Sequence, residues 1–211
     1  MNALPPATAD AAPVLLHAQQ LVCERGERPL FAALDLSLRA GDCLWLRGVN
    51  GSGKTTLLRT LAGLRAPAAG RLQRQAPLLY LGHANALKDD LTVAENLRLD
   101  AALRGQLVTV AALRQALDAL ALGPLRARPV RSLSQGQRRR TALARLGLSL
   151  QTEAAELWLL DEPFDALDDA GVQALCALMA AQCARGGAVL FTSHQAVAGL
   201  RCAEQMLKAL T

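Results

Sequence analysis

The stretch GVNGSGKTTL (residues 48–57) decides the fold class. It contains the spacing G-x-x-x-x-G-K-[ST], the apolar segment before it predicts a strand, and KTTLLRTL after it has helical spacing. Glycines between a strand and a helix let backbone N–H groups point inward at phosphate oxygens. We therefore predict a nucleotide site formed by Gly48, Asn50, Gly51, Ser52, Gly53, Lys54, Thr55 and Thr56.

A second, distant element agrees with this prediction. The segment LWLLDE (residues 157–162) reads as an apolar strand that ends in two carboxylates. Lys54 would supply charge for the β- and γ-phosphates, and the Thr55 hydroxyl would ligate Mg²⁺. Asp161 would hold the Mg²⁺ through water, and Glu162 would polarise the attacking water. The pattern predicts an enzyme that hydrolyses a nucleoside triphosphate with Mg²⁺.

Length and composition favour one α/β domain. The chain has 211 residues, 52% hydrophobic and 19% charged, and its apolar stretches are shorter than the roughly 18 residues that cross a bilayer. Apolar segments at 78–82, 157–161 and 188–192 predict strands of a mostly parallel sheet. Residues 1–13, rich in Ala and Pro, predict a flexible tail, and residues 14–211 a single domain with a helical subdomain at about 84–150. The net charge of +5 is scattered except at residues 138–140, a basic run that predicts a solvated helix face.

Three further segments resemble the ATP-binding cassette ATPases. They are LSQGQRRRTALAR (residues 133–145), LLDEPFDALD (159–168) and FTSH (191–194), and the resemblance extends from about residue 14. It implies a P-loop cassette fold with an antiparallel β subdomain, and a homodimer whose two chains pack head to tail around two ATP molecules. It also implies that Ser134, Gly136 and Gln137 contact the ATP bound by the other chain, and that His194 holds the γ-phosphate in its own chain.

The sequence departs from the family pattern at three positions. Gln135 stands where the signature usually has glycine, although Gly136 remains. Arg25 lies near the position of the aromatic residue that stacks on adenine, and its guanidinium can either stack there or remain solvated. Gly82-His83 follows a predicted strand where the family has a glutamine sensor, so His83 is either the replacement of that sensor, with a catalytic role, or an unrelated loop residue.

A narrower resemblance involves YLGHANALKDDLTVAENL (residues 80–97) and CERGERPLF (23–31). These segments are similar to the ATP-binding subunits of the heme exporters of cytochrome c maturation. The resemblance implies a homodimer bound peripherally to integral-membrane Ccm transporter subunits, at the cytoplasmic face of the bacterial inner membrane. There, ATP hydrolysis would be coupled to heme export or to release of the heme-loaded periplasmic chaperone.

Two alternatives remain open at this stage. One is the ATPase subunit of another transporter, of the lipoprotein-release or small-solute type, and the other is a soluble cassette ATPase that acts on ribosomes or DNA. We expect no nucleic-acid partner. We also expect no direct heme binding, because the chain has no CxxCH motif and only three histidines.

Overall fold

The computed structural model describes residues 12–26, 28–197 and 199–210 of the chain. Most of the tail predicted for residues 1–13 therefore lies outside the described residues. In chain order the elements are β1 Val14–Val22, β2 Glu24–Arg25, β3 Arg28–Pro29, β4 Leu34–Arg39, β5 Cys43–Arg47, α1 Lys54–Leu61, β6 Ala69–Arg74, β7 Leu78–Leu81, α2 Val93–Leu103, α3 Val110–Asp118, α4 Gln135–Ser149, β8 Leu157–Leu160, α5 Asp169–Ala184, β9 Ala188–Thr192 and β10 Ala203–Met206.

Five of the described strands form a parallel sheet in the order β10-β5-β9-β8-β7. Strand β8, LWLL, is buried along its whole length, as expected for a strand covered on both faces of a parallel sheet. The strands predicted at 78–82, 157–161 and 188–192 are confirmed as β7, β8 and β9. A parallel sheet places the carboxyl ends of its strands at one edge, where α/β proteins bind ligands.

An antiparallel sheet of the described strands packs beside α1, in the order β4-β1-β6. Strands β1 and β6 were not predicted from the sequence. Strand β6 exposes all of its side chains except the half-buried Leu72, so it carries little apolar signal of its own. A short hairpin of β2 and β3 follows β1. The predicted fold class, a mostly parallel sheet with an antiparallel β part and a helical insertion, is confirmed.

Helices α2, α3 and α4 lie between strands β7 and β8, within the segment predicted to be helical. Helix α2 begins with a capping box formed by Thr92 and Glu95, and α4 begins with one formed by Ser134 and Gln137. The predicted helix after the glycine-rich loop is α1, which ends at Leu61 before Gly63.

Two hydrophobic cores cover the two faces of the parallel sheet. Trp158 and Leu160 of β8 point into the core shared with α2, α3, α4 and α5. Leu157 and Leu159 point the other way, into the core shared with α1, β1 and β4. The alternation follows from the period of two of a strand, which turns neighbouring side chains to opposite faces. Both cores hold the sheet edge that carries the site described next.

Candidate functional site

The candidate site lies where four parallel strands end. The glycine-rich loop follows β5, His83 follows β7 after one residue, Asp161 directly follows β8, and His194 follows β9 after one residue. These segments meet at an open cavity of about 250 Å³. The cavity is lined by Arg25, Asn50, Gly51, Ser52, Gly53, Lys54, Thr55, Thr56, His83, Asp161, Glu162, Asp165 and His194.

The glycine-rich loop curls around its own lysine. The Nζ of Lys54 donates hydrogen bonds to the carbonyl oxygens of Gly48 at 2.8 Å and Val49 at 3.4 Å. The lysine side chain therefore reaches back to the first residues of the loop. Gly53 has a φ of 98°, and a Cβ there would lie 3.0 Å from the Cβ of Leu30, so only glycine fits without strain. Helix α1 starts directly after Gly53 with no side-chain cap, which leaves its first N–H groups available to an anion.

The two acidic residues after β8 share one hydrogen-bonding partner. The hydroxyl of Thr192 donates to Oδ1 of Asp161 at 2.9 Å and accepts from the backbone N–H of Glu162 at 2.8 Å. Oδ2 of Asp161 is buried and has no hydrogen-bond partner among the described residues, and the same is true of the Ser52 hydroxyl on the loop. A buried carboxylate oxygen without a partner is rare and suits a cation or its bound water. The donor set therefore fits Mg²⁺ bound beside a phosphate.

Glu162 lies among charges that act on its carboxylate. Burial raises its pKa above the ordinary glutamate value, Asp165 and Asp161 act in the same direction, and His194 and Lys54 oppose it. The Nε2 of His194 lies 3.5 Å from Oε1 of Glu162. Glu162 also has a φ of 49°, a left-handed conformation that non-glycine residues adopt rarely and that is concentrated at functional sites.

His83 faces the same cavity from the end of β7. Its Nδ1 lies 3.6 Å from Oδ2 of Asp165, and both side chains are largely exposed. Arg25, on β2, also lines the cavity and has an exposed side chain. The structure thus brings both residues to the cavity without assigning either a role.

The signature segment lies apart from this cavity. Ser134, Gly136 and Gln137 at the start of α4 are not among its lining residues. The Ser134 hydroxyl accepts from the backbone N–H of Gln137 at 3.3 Å, and the backbone N–H of Ser134 donates to the Gln137 side chain at 3.0 Å. A Cβ at Gly136 would lie 2.9 Å from the carbonyl oxygen of Ala166, so glycine is required there by contact within the chain. Gln135 is exposed.

Comparison with known proteins agrees with this geometry. The sequence profile of the ABC transporter family matches residues 31–165, which contain the loop, the signature and both carboxylates. The chain belongs to the ABC transporter family. A solved structure described as the ATP-binding subunit of an ABC transporter superimposes on this cassette with a TM-score of 0.80 at 23% identity, over 92% of this chain and 85% of that one.

Curated relatives of the cassette carry a more specific description. The cytochrome c biogenesis ATP-binding export protein CcmA of Pseudomonas aeruginosa is 45% identical over 87% of this chain and 95% of its own length. The protein of the same name from Methylococcus capsulatus is 42% identical over 86% and 92%. The cassette is therefore a relative of CcmA proteins over nearly its whole length. In the described part of the cassette no helix has both the length and the apolarity that a membrane span requires.

Three residues at the cassette's site were not found from the sequence. Thr192 and Asp165 belong to quoted motifs, but their contacts depend on pairing between strands and loops. Arg139 belongs to the basic run that predicted a solvated helix face, and for this residue the prediction was wrong, because its side chain is 4% exposed. A signal existed: Ala142, Leu143 and Leu146 follow Arg139 by three, four and seven residues, which places all four on one helix face.

Proposed function

We propose that this cassette is the ATP-hydrolysing subunit of a membrane transporter complex in cytochrome c biogenesis. In that complex, ATP hydrolysis is coupled to heme export or to release of the heme-loaded periplasmic chaperone. The observation that carries the proposal is the meeting of the Lys54 loop with Asp161 and Glu162 in one cavity, in a chain 45% identical to a CcmA protein over 87% of its length. The names of the relatives support the cellular role.

In this proposal, the residues that bind and cleave ATP have defined tasks. The loop N–H groups and the Lys54 ammonium bind the phosphates. Thr55, and Asp161 through water, would hold Mg²⁺, which would supply positive charge to neutralise the phosphates. Glu162 accepts a hydrogen bond or proton from the attacking water, and His194 holds the γ-phosphate. Arg25 stacks on adenine.

The site is completed by a second copy of the chain. Ser134, Gly136 and Gln137 lie outside the cavity on their own chain, and Ser134 is exposed at the start of α4, where helix N–H groups favour an anion. A two-fold arrangement places this helix start of one chain over the loop of the other, so each ATP contacts both chains.

The proposed homodimer is peripheral, bound at the cytoplasmic face of the bacterial inner membrane to integral-membrane Ccm subunits. His83 serves as the sensor that reports the nucleotide state to those subunits. The proposal includes no nucleic-acid partner and no direct binding of heme by this chain.

The experiment that tests the function is complementation. A strain from which the gene for this chain has been removed receives the parent chain, Lys54→Ala or the control Lys208→Ala, which alters an exposed lysine that does not line the cavity. Covalent heme in c-type cytochromes is then measured on stained gels. We expect the parent and Lys208→Ala to restore heme attachment and Lys54→Ala to fail.

Normal cytochromes in the deleted strain would contradict the cytochrome c role. In that case the chain would be the ABC ATPase of another transporter. Growth of the strain on varied solutes, or analysis of its lipoproteins, would then identify that transporter.

A further inference from the structure

Arg139 differs from the two arginines that flank it in α4. Its side chain is buried, whereas Arg138 pairs with Asp89 and Arg140 with Asp168 near the surface. Burial lowers the pKa of the Arg139 guanidinium, and the nearby carboxylates of Asp165, Asp161 and Glu162 act in the opposite direction. A buried cation is costly unless many acceptors surround it.

The acceptors of Arg139 come from the two loops that carry proposed functional residues. Nε donates to the carbonyl oxygen of Pro163 at 3.3 Å, and Nη2 donates to those of Asp161 at 3.2 Å and Glu162 at 2.5 Å. Nη1 donates to the loop after β7: to the carbonyl oxygens of Gly82 at 3.3 Å and His83 at 3.4 Å, and to Oδ1 of Asn85 at 3.2 Å.

The backbone of Glu162 is therefore held at both its N–H group and its carbonyl oxygen. Its N–H donates to Thr192, its carbonyl oxygen accepts from Arg139, and between them its φ is 49°. A left-handed glutamate persists only where its surroundings determine its conformation, and here three hydrogen bonds do so. The third runs from the backbone N–H of Asp165 to the carbonyl oxygen of Glu162 at 3.3 Å. Loss of the bond to Arg139 or of the bond to Thr192 weakens the hold on the backbone that orients the carboxylate.

We propose that Arg139 is a positioning residue for ATP hydrolysis. It holds the backbone of Glu162 and of the His83 loop, and it ties both to helix α4, whose first turn carries the signature. It does not contact the nucleotide, because it is absent from the lining of the cavity. The inference rests on the proposed role of Glu162 in hydrolysis.

The chain offers a matched control in Arg185. Its guanidinium also gathers backbone carbonyl oxygens, donating to those of Ser149 at 3.2 Å, Leu150 at 2.7 Å and Ala154 at 3.0 Å. These acceptors lie at the end of α4 and beyond it, and none of them lines the nucleotide cavity. Replacing Arg185 removes a comparable set of bonds without touching the Glu162 or His83 loop.

The test compares Arg139→Met, Arg139→Lys and Arg185→Met in the full chain, assembled with its membrane subunits. Turnover number and KM for ATP are measured well below each variant's melting temperature. We expect Arg139→Met to lower kcat by about 10- to 100-fold, since a displacement of about 1 Å at a catalytic group has an effect of that order, with KM changed by less than about 3-fold. Arg139→Lys, which keeps the charge and some donors, should recover part of kcat, and Arg185→Met should keep kcat within about 2-fold.

An unchanged kcat in Arg139→Met would overturn the proposal, and so would an equal loss of kcat in Arg185→Met. If Arg139→Met does not fold, Arg139→Lys decides, because a positioning role requires its kcat to fall while its KM stays near that of the parent. A Glu162→Gln variant measured in the same assay distinguishes the proposed role of Glu162 from that of Arg139. Parental turnover in Glu162→Gln would refute the proposed role of Glu162, whereas an inactive Glu162→Gln beside a fully active Arg139→Met would refute only the role of Arg139.

Discussion

Replacing Thr192 with valine tests whether one hydroxyl holds both carboxylate residues of the site. Thr192 is fully buried at the end of β9, and valine has nearly its shape. The change removes the bond to Oδ1 of Asp161 and the bond from the N–H of Glu162. It leaves two buried polar groups without these partners and creates almost no cavity.

The expected cost follows from those two groups. A buried polar group left without its partner destabilises a protein by about 1–3 kcal/mol, so two together should lower the free energy of unfolding by about 3 kcal/mol. For a domain of this size that is a fall in melting temperature of about 6–12 °C. Because the peptide of Glu162 is also released, kcat for ATP should fall by about 10-fold or more.

Thermal unfolding and ATP turnover of Thr192→Val are best compared with Thr60→Val. Thr60 is also buried, but its hydroxyl accepts only a weak bond from the Cys23 thiol at 3.4 Å, so its loss should cost less than about 1 kcal/mol. If Thr192→Val melts no lower than Thr60→Val and keeps its kcat, the bridging role of Thr192 is wrong.

Three other outcomes are expected. Because the pKa of Glu162 is raised, kcat should decline on acidification before ordinary glutamates protonate. The free energy of unfolding should fall as the pH rises from the ordinary glutamate pKa to the raised pKa, because the folded chain binds the proton more tightly than the unfolded chain. Glu162→Gln should abolish this pH dependence of the free energy of unfolding. Lys54→Ala chains mixed with Ser134→Arg chains should regain partial ATP turnover. If heterodimers are shown to form and remain inactive, the result would contradict ATP sites that are shared between two chains. His83→Gln should retain ATP turnover in the membrane complex, and His83→Ala should uncouple ATP turnover from release of the chaperone. If His83→Ala keeps both ATP turnover and chaperone release at the parental level, His83 is not the sensor.

The parallel sheet could be predicted because most of its strands have an apolar pattern that is visible in the local sequence. Segments such as Leu157–Leu160 are apolar on both faces and end in polar turns, which is the pattern of a covered parallel strand. Strand β6 could not be predicted, because it is mostly exposed and is defined by its hydrogen bonds to β1. Strand β10 is similar: its four residues are exposed or half-buried, and its pairing with β5 defines it.

The site divides in the same way. The loop and the Asp161-Glu162 pair are local motifs whose spacing fixes their place at strand ends, so the sequence located them. Thr192 and Arg139 act on Glu162 through contacts between elements 22 or more residues apart, and neither has a chemical type that marks a site. Thr192 looks like an ordinary strand residue, and Arg139 is hidden within a basic run.

The most direct test of the central claim is ATP turnover by Glu162→Gln beside the control Glu153→Gln, which alters an exposed carboxylate outside the cavity. The amide keeps the size of the side chain but cannot accept a proton, while the Lys54 loop is unchanged. Glu162→Gln should therefore bind ATP as the parent does, remain dimeric with ATP bound, and hydrolyse it at least ~10²-fold more slowly. Hydrolysis by Glu162→Gln at the rate of Glu153→Gln would contradict the account.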